Sequence, residues 1–243
     1  DEFAVNIARL RLWLSLSVDG DKPQALPNLN YKVEAGDSLT APVIANQQSA
    51  RDVFVKEFQK LKSEFLTAHG QAKKTSLKKE IDQVKEQIAI FTHGGNKVNG
   101  FDWVVEFAEV IADGGFDLVL ANPPYGATVE DKVRDLYFER KPKESQSKDT
   151  YGLFMARGLQ LLKPGGKLSY IVSDTWRTIQ SHRPLRKRLL TETTIEHIID
   201  LPGWVFKATV NTCIFTATKD FAGKDHNLIT ADLRNLKNND WIS

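Results

Sequence analysis

The chain has 243 residues, 41% hydrophobic and 26% charged, with 33 Lys+Arg against 31 Asp+Glu. That length accommodates one large domain or two small ones with a real core. A mean hydropathy of −0.35 and the lack of an apolar run near 18 residues argue against a membrane-spanning protein, and a net charge of +2 argues against histone-like binding of nucleic acid while leaving a local basic face open. Cys213 is the only cysteine, so no internal disulfide and no cysteine-based zinc site is expected, and a reducing, cytoplasmic setting fits. The first residue is Asp1 and no signal peptide follows, so the chain is expected to be a piece of something longer.

In chain order, Asp1–Val18 reads as a helix, with Ala4, Ile7, Ala8, Leu10 and Leu14 at helical spacing and two acids at its positive end. Gly20, Pro23 and Pro27 stop it. Tyr31–Ala35 is a strand candidate ending at Gly36-Asp37-Ser38. From Arg51 to Phe91, Phe54, Phe58, Leu61, Phe65 and then Leu77, Ile81, Val84, Ile88 step by threes and fours, which predicts a heptad seam. His69–Ser76, with Gly70 and a helix-starting Thr75, interrupts that seam. The reading is an antiparallel helical hairpin inserted at 51–93, between the parts of a core at 1–50 and 94–243.

Beyond the hairpin the pattern becomes regular α/β. Phe116–Ala121 is almost continuously apolar, as a central parallel strand is. Thr150–Leu162 predicts an amphipathic helix closed by a turn at Lys163–Gly166. Strands at Lys167–Val172, Ile195–Leu201 and Val210–Thr218, with a helix around Leu185–Leu190, complete a doubly wound sheet. Lys141–Lys148 is a polar loop.

Ligands of open α/β sheets bind outside the carboxyl ends of the strands. There, directly after Phe116–Ala121, the chain places Asn122-Pro123-Pro124-Tyr125. Two prolines fix the backbone and remove two N–H donors, leaving carbonyls to point outward. The Asn side chain adds an acceptor and a donor, and the Tyr a flat ring with a polar tip. Two acceptors beside a stacking surface suit a planar ligand that carries an NH₂ group. Gly36-Asp37-Ser38-Leu39 also spells an esterase signature. No Asp stands three residues before any of the five histidines, so the partner pair of that reading is missing. His69, His93, His182, His197 and His226 lack metal-ligand spacing, and no metal is expected.

Asn122–Tyr125 on such a strand resembles the catalytic motif of S-adenosylmethionine-dependent amino methyltransferases, especially the DNA N6-adenine enzymes. Ile7–Leu16, Leu26-Pro27-Asn28-Leu29 and Gly36-Asp37-Ser38-Leu39 are similar to the bacterial enzymes that fuse restriction and modification. Lys148-Asp149-Thr150-Tyr151-Gly152-Leu153-Phe154 and Trp204-Val205-Phe206…Val210-Asn211-Thr212 resemble their later motifs. The resemblance implies a Rossmann-like methyltransferase sheet, S-adenosylmethionine as cofactor and double-stranded DNA as partner. It implies that Asn122 and Pro123 accept hydrogens from the target amine, with Pro124 and Tyr125 completing the catalytic motif. Tyr125 and Phe206 would stack on a flipped base. Asp37 and Ser38, with Asn122 and Pro124, would hold the cofactor. Arg183, Arg186, Lys187 and Arg188 form the densest basic cluster and are weaker candidates for phosphate contacts.

No two glycines are separated by one residue anywhere in the chain, so the Gly-rich turn that admits the methionine end of the cofactor is missing. The resemblance implies that the first two strands, that N-terminal part of the methyltransferase domain and a target-recognition domain lie outside this sequence. Cytosine N4, an RNA base and a glutamine side chain remain as other planar amines, and a non-catalytic module that binds DNA or a partner remains as a different class.

Overall fold

The computed structural model describes residues 2–18, 29–39, 41, 48–93, 101–124, 149–206, 210–220, 223 and 226–237. The chain divides into two compact units, Asp1–Ala112 and Asp113–Ser243.

In the first unit, α1 spans Glu2–Val18 as expected, yet Phe3, Leu10, Leu14, Leu16 and Val18 along it are all exposed. The hairpin consists of α2, Gln48–Thr67, and α3, Gln71–His93. Its seam is the expected one: Phe58, Leu61 and Phe65 meet Leu77, Ile81, Val84 and Ile88 in a continuous buried cluster, and Phe54 stacks on Phe91 at 5.1 Å. The connection is tighter than the sequence pattern suggests. Gly70, at φ 88°, turns the chain in the left-handed region that glycine enters without steric cost. The helix resumes at Gln71, and Thr75 lies inside it with its hydroxyl donated back to the Gln71 carbonyl at 2.9 Å. Two short helices follow, α4 at Trp103–Glu106 and α5 at Ala108–Ala112; Asp102 caps α4 by accepting from the Val104 amide at 2.9 Å.

The strand expected at Tyr31–Ala35 is not formed. Tyr31 sits at φ 60° and the segment runs through turns. Side chains take its carbonyls where a ladder would: Arg9 Nη2 donates to Val33 O at 2.9 Å and Lys62 Nζ to Tyr31 O at 3.5 Å. The Tyr31 ring packs edge-on against Phe65 at 5.3 Å. Local β-propensity without a paired neighbour does not make a strand, and contacts with the hairpin and α1 win here.

In the second unit, β1 (Phe116–Ala121), α6 (Thr150–Leu161), β2 (Leu162–Ser173), α7 (Arg183–Glu192), β3 (Thr194–Asp200), β4 (Thr212–Thr218) and β5 (Ile229–Asp232) build a Rossmann-like α/β layer. The sheet order is β1-β2-β4-β3-β5. The β1–β2 and β3–β5 pairs are parallel, while β4 runs antiparallel to both β2 and β3. Two expectations change. Among the described residues β1 is an edge strand, not a central one, with Leu118 and Leu120 exposed. Lys163–Gly166 is no turn but part of β2, forming a bulge between the Phe116↔Leu162 and Leu118↔Lys167 pairs. A glycine pair reads locally as a turn. Here Gly165 donates its amide to Lys219 O at 2.9 Å and Gly166 O accepts from Lys219 N at 2.8 Å, which draws the segment into the ladder with β4.

Leu168, Tyr170 and Val172 of β2 pair directly with Ala217, Phe215 and Cys213 of β4 on one sheet face. They share a core with Met155 and Leu159 of α6 and Leu185 and Leu189 of α7. Among the described residues both helices therefore cover the same face. Gly158 lets α6 lie close on that face, since a Cβ there would come within 2.4 Å of the Tyr170 hydroxyl.

Candidate functional site

β1 delivers Asn122-Pro123-Pro124 to the carboxyl end of the parallel β1–β2 pair, one residue beyond the Ala121↔Tyr170 register. Asn122 and Pro124 are exposed and Pro123 is buried, so the middle residue anchors the turn while its neighbours face outward. Tyr125 lies outside the described residues. The expectation that the proline carbonyls point outward is corrected at Pro124: its carbonyl accepts a hydrogen bond from Thr150 Oγ1 at 2.9 Å. Thr150 is the first residue of α6 and only 7% exposed.

Around that helix start lies a polar cluster that sequence reasoning missed. His182 is fully buried; its Nε2 lies 2.7 Å from Tyr151 Oη and 3.2 Å from Asp149 Oδ2. A carboxylate only accepts, so both contacts are attractive only with a hydrogen on Nε2. The Tyr151 hydroxyl lies 2.9 Å from Thr175 Oγ1, which in turn lies 2.9 Å from Ser173 Oγ at the end of β2. Burial lowers the His182 pKa, against the opposing effect of the hydrogen bond that its ring donates to Asp149. Burial also pushes the Tyr151 phenol up to about 12. At neutral pH both side chains are uncharged. The sequence signal for this cluster is Asp149-Thr150-Tyr151, which caps and opens α6.

A second group gathers at the ends of β2 and β3. Arg177 Nη2 donates to Asp200 Oδ1 at 2.7 Å and to Asp174 Oδ2 at 3.3 Å. Leu201, just past β3, donates to Thr212 O at 2.9 Å. Phe206 follows the Pro202–Val205 turn and is half-buried. The basic cluster on α7 divides. Arg188 turns inward, 8% exposed, donating to Glu192 Oε2 at 2.8 Å and to Ala156 O at 3.4 Å. Arg186 Nη1 donates to the Trp176 and Ile179 carbonyls, each at 2.7 Å. Arg183 and Lys187 are exposed.

Asp37 and Ser38 belong to the first unit. Asp37 ends no strand. It closes a turn, with Oδ1 accepting from the Leu39 amide at 2.9 Å, and the residue itself is exposed. Trp103 Nε1 donates to the Ser38 carbonyl at 3.1 Å. The Phe101 ring fills the space a Cβ would need at Gly36, and it meets Trp103 edge-on at 4.9 Å. An exposed acceptor on a turn backed by flat rings fits a purine that carries an exocyclic amine.

Residues 1–206 match the family model of the Eco57I restriction-modification methylase. The chain belongs to that family. A type II restriction enzyme and methyltransferase of Methanocaldococcus jannaschii is 25% identical over 90% of this chain and 25% of its own length. The type II restriction enzyme and methyltransferase RM.Eco57I of Escherichia coli is 31% identical over 43% of this chain and 11% of its own. This member of the Eco57I methylase family thus spans about a quarter or less of the length of these two relatives. A solved structure from Listeria monocytogenes, described as a class I S-adenosylmethionine-dependent methyltransferase, aligns over 95% of this chain and 73% of that chain, with 17% identity and a TM-score of 0.43. Among the described residues no helix is long and apolar enough to cross a membrane.

Proposed function

We propose that this chain is part of a cytoplasmic, S-adenosylmethionine-dependent DNA methyltransferase that methylates the N6 amino group of adenine within a restriction–modification system. The observation that carries the reading is Asn122-Pro123-Pro124, held at the carboxyl end of β1 with Asn122 exposed and Pro123 buried.

The chemistry is set by the acceptor. The adenine amino nitrogen delocalises its lone pair into the ring and is a poor nucleophile. With the Asn122 side-chain carbonyl and the Pro123 backbone carbonyl each accepting one of its hydrogens, the nitrogen pyramidalises and its lone pair becomes directional. S-adenosylmethionine supplies a methyl group on an electrophilic sulfonium. Transfer would form the N–C bond as the C–S bond breaks, releasing S-adenosylhomocysteine, and the methylated nitrogen would give one proton to solvent. Such a transfer needs positioning and electrostatics more than a strong base. A base inside a duplex must be flipped out to be reached; Tyr125 stacks on it, and Phe206 flanks it. Asp37, in the Gly36–Ser38 turn backed by Phe101 and Trp103, accepts from the exocyclic amine of the cofactor's adenine. Arg183 and Lys187 are the members of the basic cluster that reach phosphates, because Arg186 and Arg188 are occupied internally.

Mass spectrometry of DNA from cells expressing the intact protein tests this. N6-methyladenine is the expected product. N4-methylcytosine would move the acceptor to another base, and unmodified DNA would overturn the reading.

A further inference from the structure

Thr150 touches the candidate catalytic turn yet contributes no group to the transfer itself. Its hydroxyl donates to the Pro124 carbonyl at 2.9 Å, across 26 residues of sequence. Proline lacks the amide that would otherwise pair into a ladder, so the backbone at Pro123 and Pro124 can form hydrogen bonds only through its carbonyls. Thr150 is itself fixed from both sides in sequence. Asp149 and Tyr151 both converge on Nε2 of the fully buried His182, at 3.2 Å and 2.7 Å. Tyr151 continues through Thr175 to Ser173 at the end of β2. A half-buried polar network joined through His182 Nε2 and a chain of hydroxyls favours one geometry. Here it ties the start of α6, the end of β2 and the Pro124 carbonyl into one piece.

We infer that Thr150 is a positioning residue: clamped by Asp149, Tyr151 and buried His182, its hydroxyl latches the Pro124 carbonyl and so aims Asn122 and the Pro123 carbonyl. The role rests on the methyltransferase reading above. The latch itself is a property of the fold and is measurable without turnover. A turn that swings freely would present its acceptors in many directions, and small misplacements of reacting groups are costly in rate.

The test uses the intact protein with Thr150→Val, which keeps the shape and removes the donor, and Thr150→Ser, which keeps the donor. Hydrogen exchange of the peptide covering residues 116–124 is read first. Thr150→Val should speed it by about 3- to 10-fold, the equilibrium worth of one hydrogen bond, and Thr150→Ser should return it to near wild type. Unchanged exchange in Thr150→Val overturns the latch, as does a Thr150→Ser variant as fast as Thr150→Val. Methylation is read second. Thr150→Val should lower kcat about tenfold or more with the cofactor KM little changed, again restored by Thr150→Ser; a normal kcat beside faster exchange overturns the positioning role. Wild-type protein that methylates nothing while the exchange result holds would sink the methyltransferase reading and leave the latch in place.

Discussion

Asn122 carries the heaviest chemical demand of any residue in the candidate site, and it is exposed where a planar amine can reach it. Its proposed work is done in the transition state, when the amino nitrogen leaves the ring plane. Asn122→Ala should therefore cut methylation by about 10²-fold or more, the usual cost of losing one preorganised electrostatic group, while cofactor affinity stays within a few-fold. Steady-state kinetics with a calorimetric cofactor titration check both halves; a variant keeping more than about a tenth of the rate would remove Asn122 from that role. His182 makes a different prediction, on stability. Burial holds its pKa below the ordinary histidine value of about 6.5, with Asp149 opposing the shift and Arg186 adding to it. The neutral form is the one the fold accommodates, so this contribution is fully present above the unfolded pKa. It is lost as pH falls from about 6.5 through the lower folded value. Denaturant midpoints measured across that window should fall with pH in the wild type and fall less in His182→Gln; parallel curves would mean that His182 does not titrate on unfolding.

At the scale of elements, two glycines separate backbone strain from crowding. Gly70 joins α2 to α3 at φ 88°, and a Cβ there would meet nothing within 4 Å. Gly115 precedes β1 at φ 121°, and a Cβ there would lie 2.4 Å from the Leu161 carbonyl oxygen and 2.8 Å from the Lys163 nitrogen. Gly70→Ala should cost about 1–2 kcal/mol, the left-handed penalty alone. Gly115→Ala should cost distinctly more, because backbone atoms of the β1–β2 junction must also move. Hydrogen exchange in α3 for the first variant and in β2 for the second measures each loss; a Gly115→Ala variant no worse than Gly70→Ala would show that the junction yields more easily than these distances imply. The same elements show what the sequence could reveal. The hairpin seam was legible because Phe58, Ile81 and Ile88 obey a local period, and Asn122 because a rare tetrapeptide follows an apolar strand. The 31–35 segment, the bulge at Lys163–Gly166 and β5 were not. The first lacked a partner strand, the second is decided by Lys219 far along the chain, and the third is four largely exposed residues with no apolar alternation. The clamp around Thr150 was hidden for the same reason: Tyr151 and His182 lie 31 residues apart, and no local pattern joins them.

At the scale of the molecule, the exposed apolar surface of the described residues is unevenly spread. Large exposed hydrophobic side chains gather on α1, where Phe3 is 72% and Val18 81% exposed, and on the edge strand β1, where Leu118 is 52% and Leu120 67% exposed. An edge strand offers unpaired backbone groups as well as side chains, and proteins ordinarily blunt such edges with charge or proline. On β1 the charge is Asp117, which is engaged with Lys163, while Leu118 and Leu120, two residues apart, expose their side chains on one face. Exposed apolar side chains of this kind favour association, and a net charge of only +2 gives little electrostatic repulsion against it. The 243-residue chain on its own should therefore self-associate with rising concentration. The double substitution Leu118→Lys and Leu120→Lys should reduce that association by charging the edge, without unfolding the sheet, because neither side chain belongs to the buried core. Sedimentation velocity over a concentration series, with far-ultraviolet circular dichroism to confirm the fold, measures it. A chain that stays monomeric at high concentration, or a doubly charged variant that associates as strongly as the parent, would show that the β1 edge is not the surface through which copies meet.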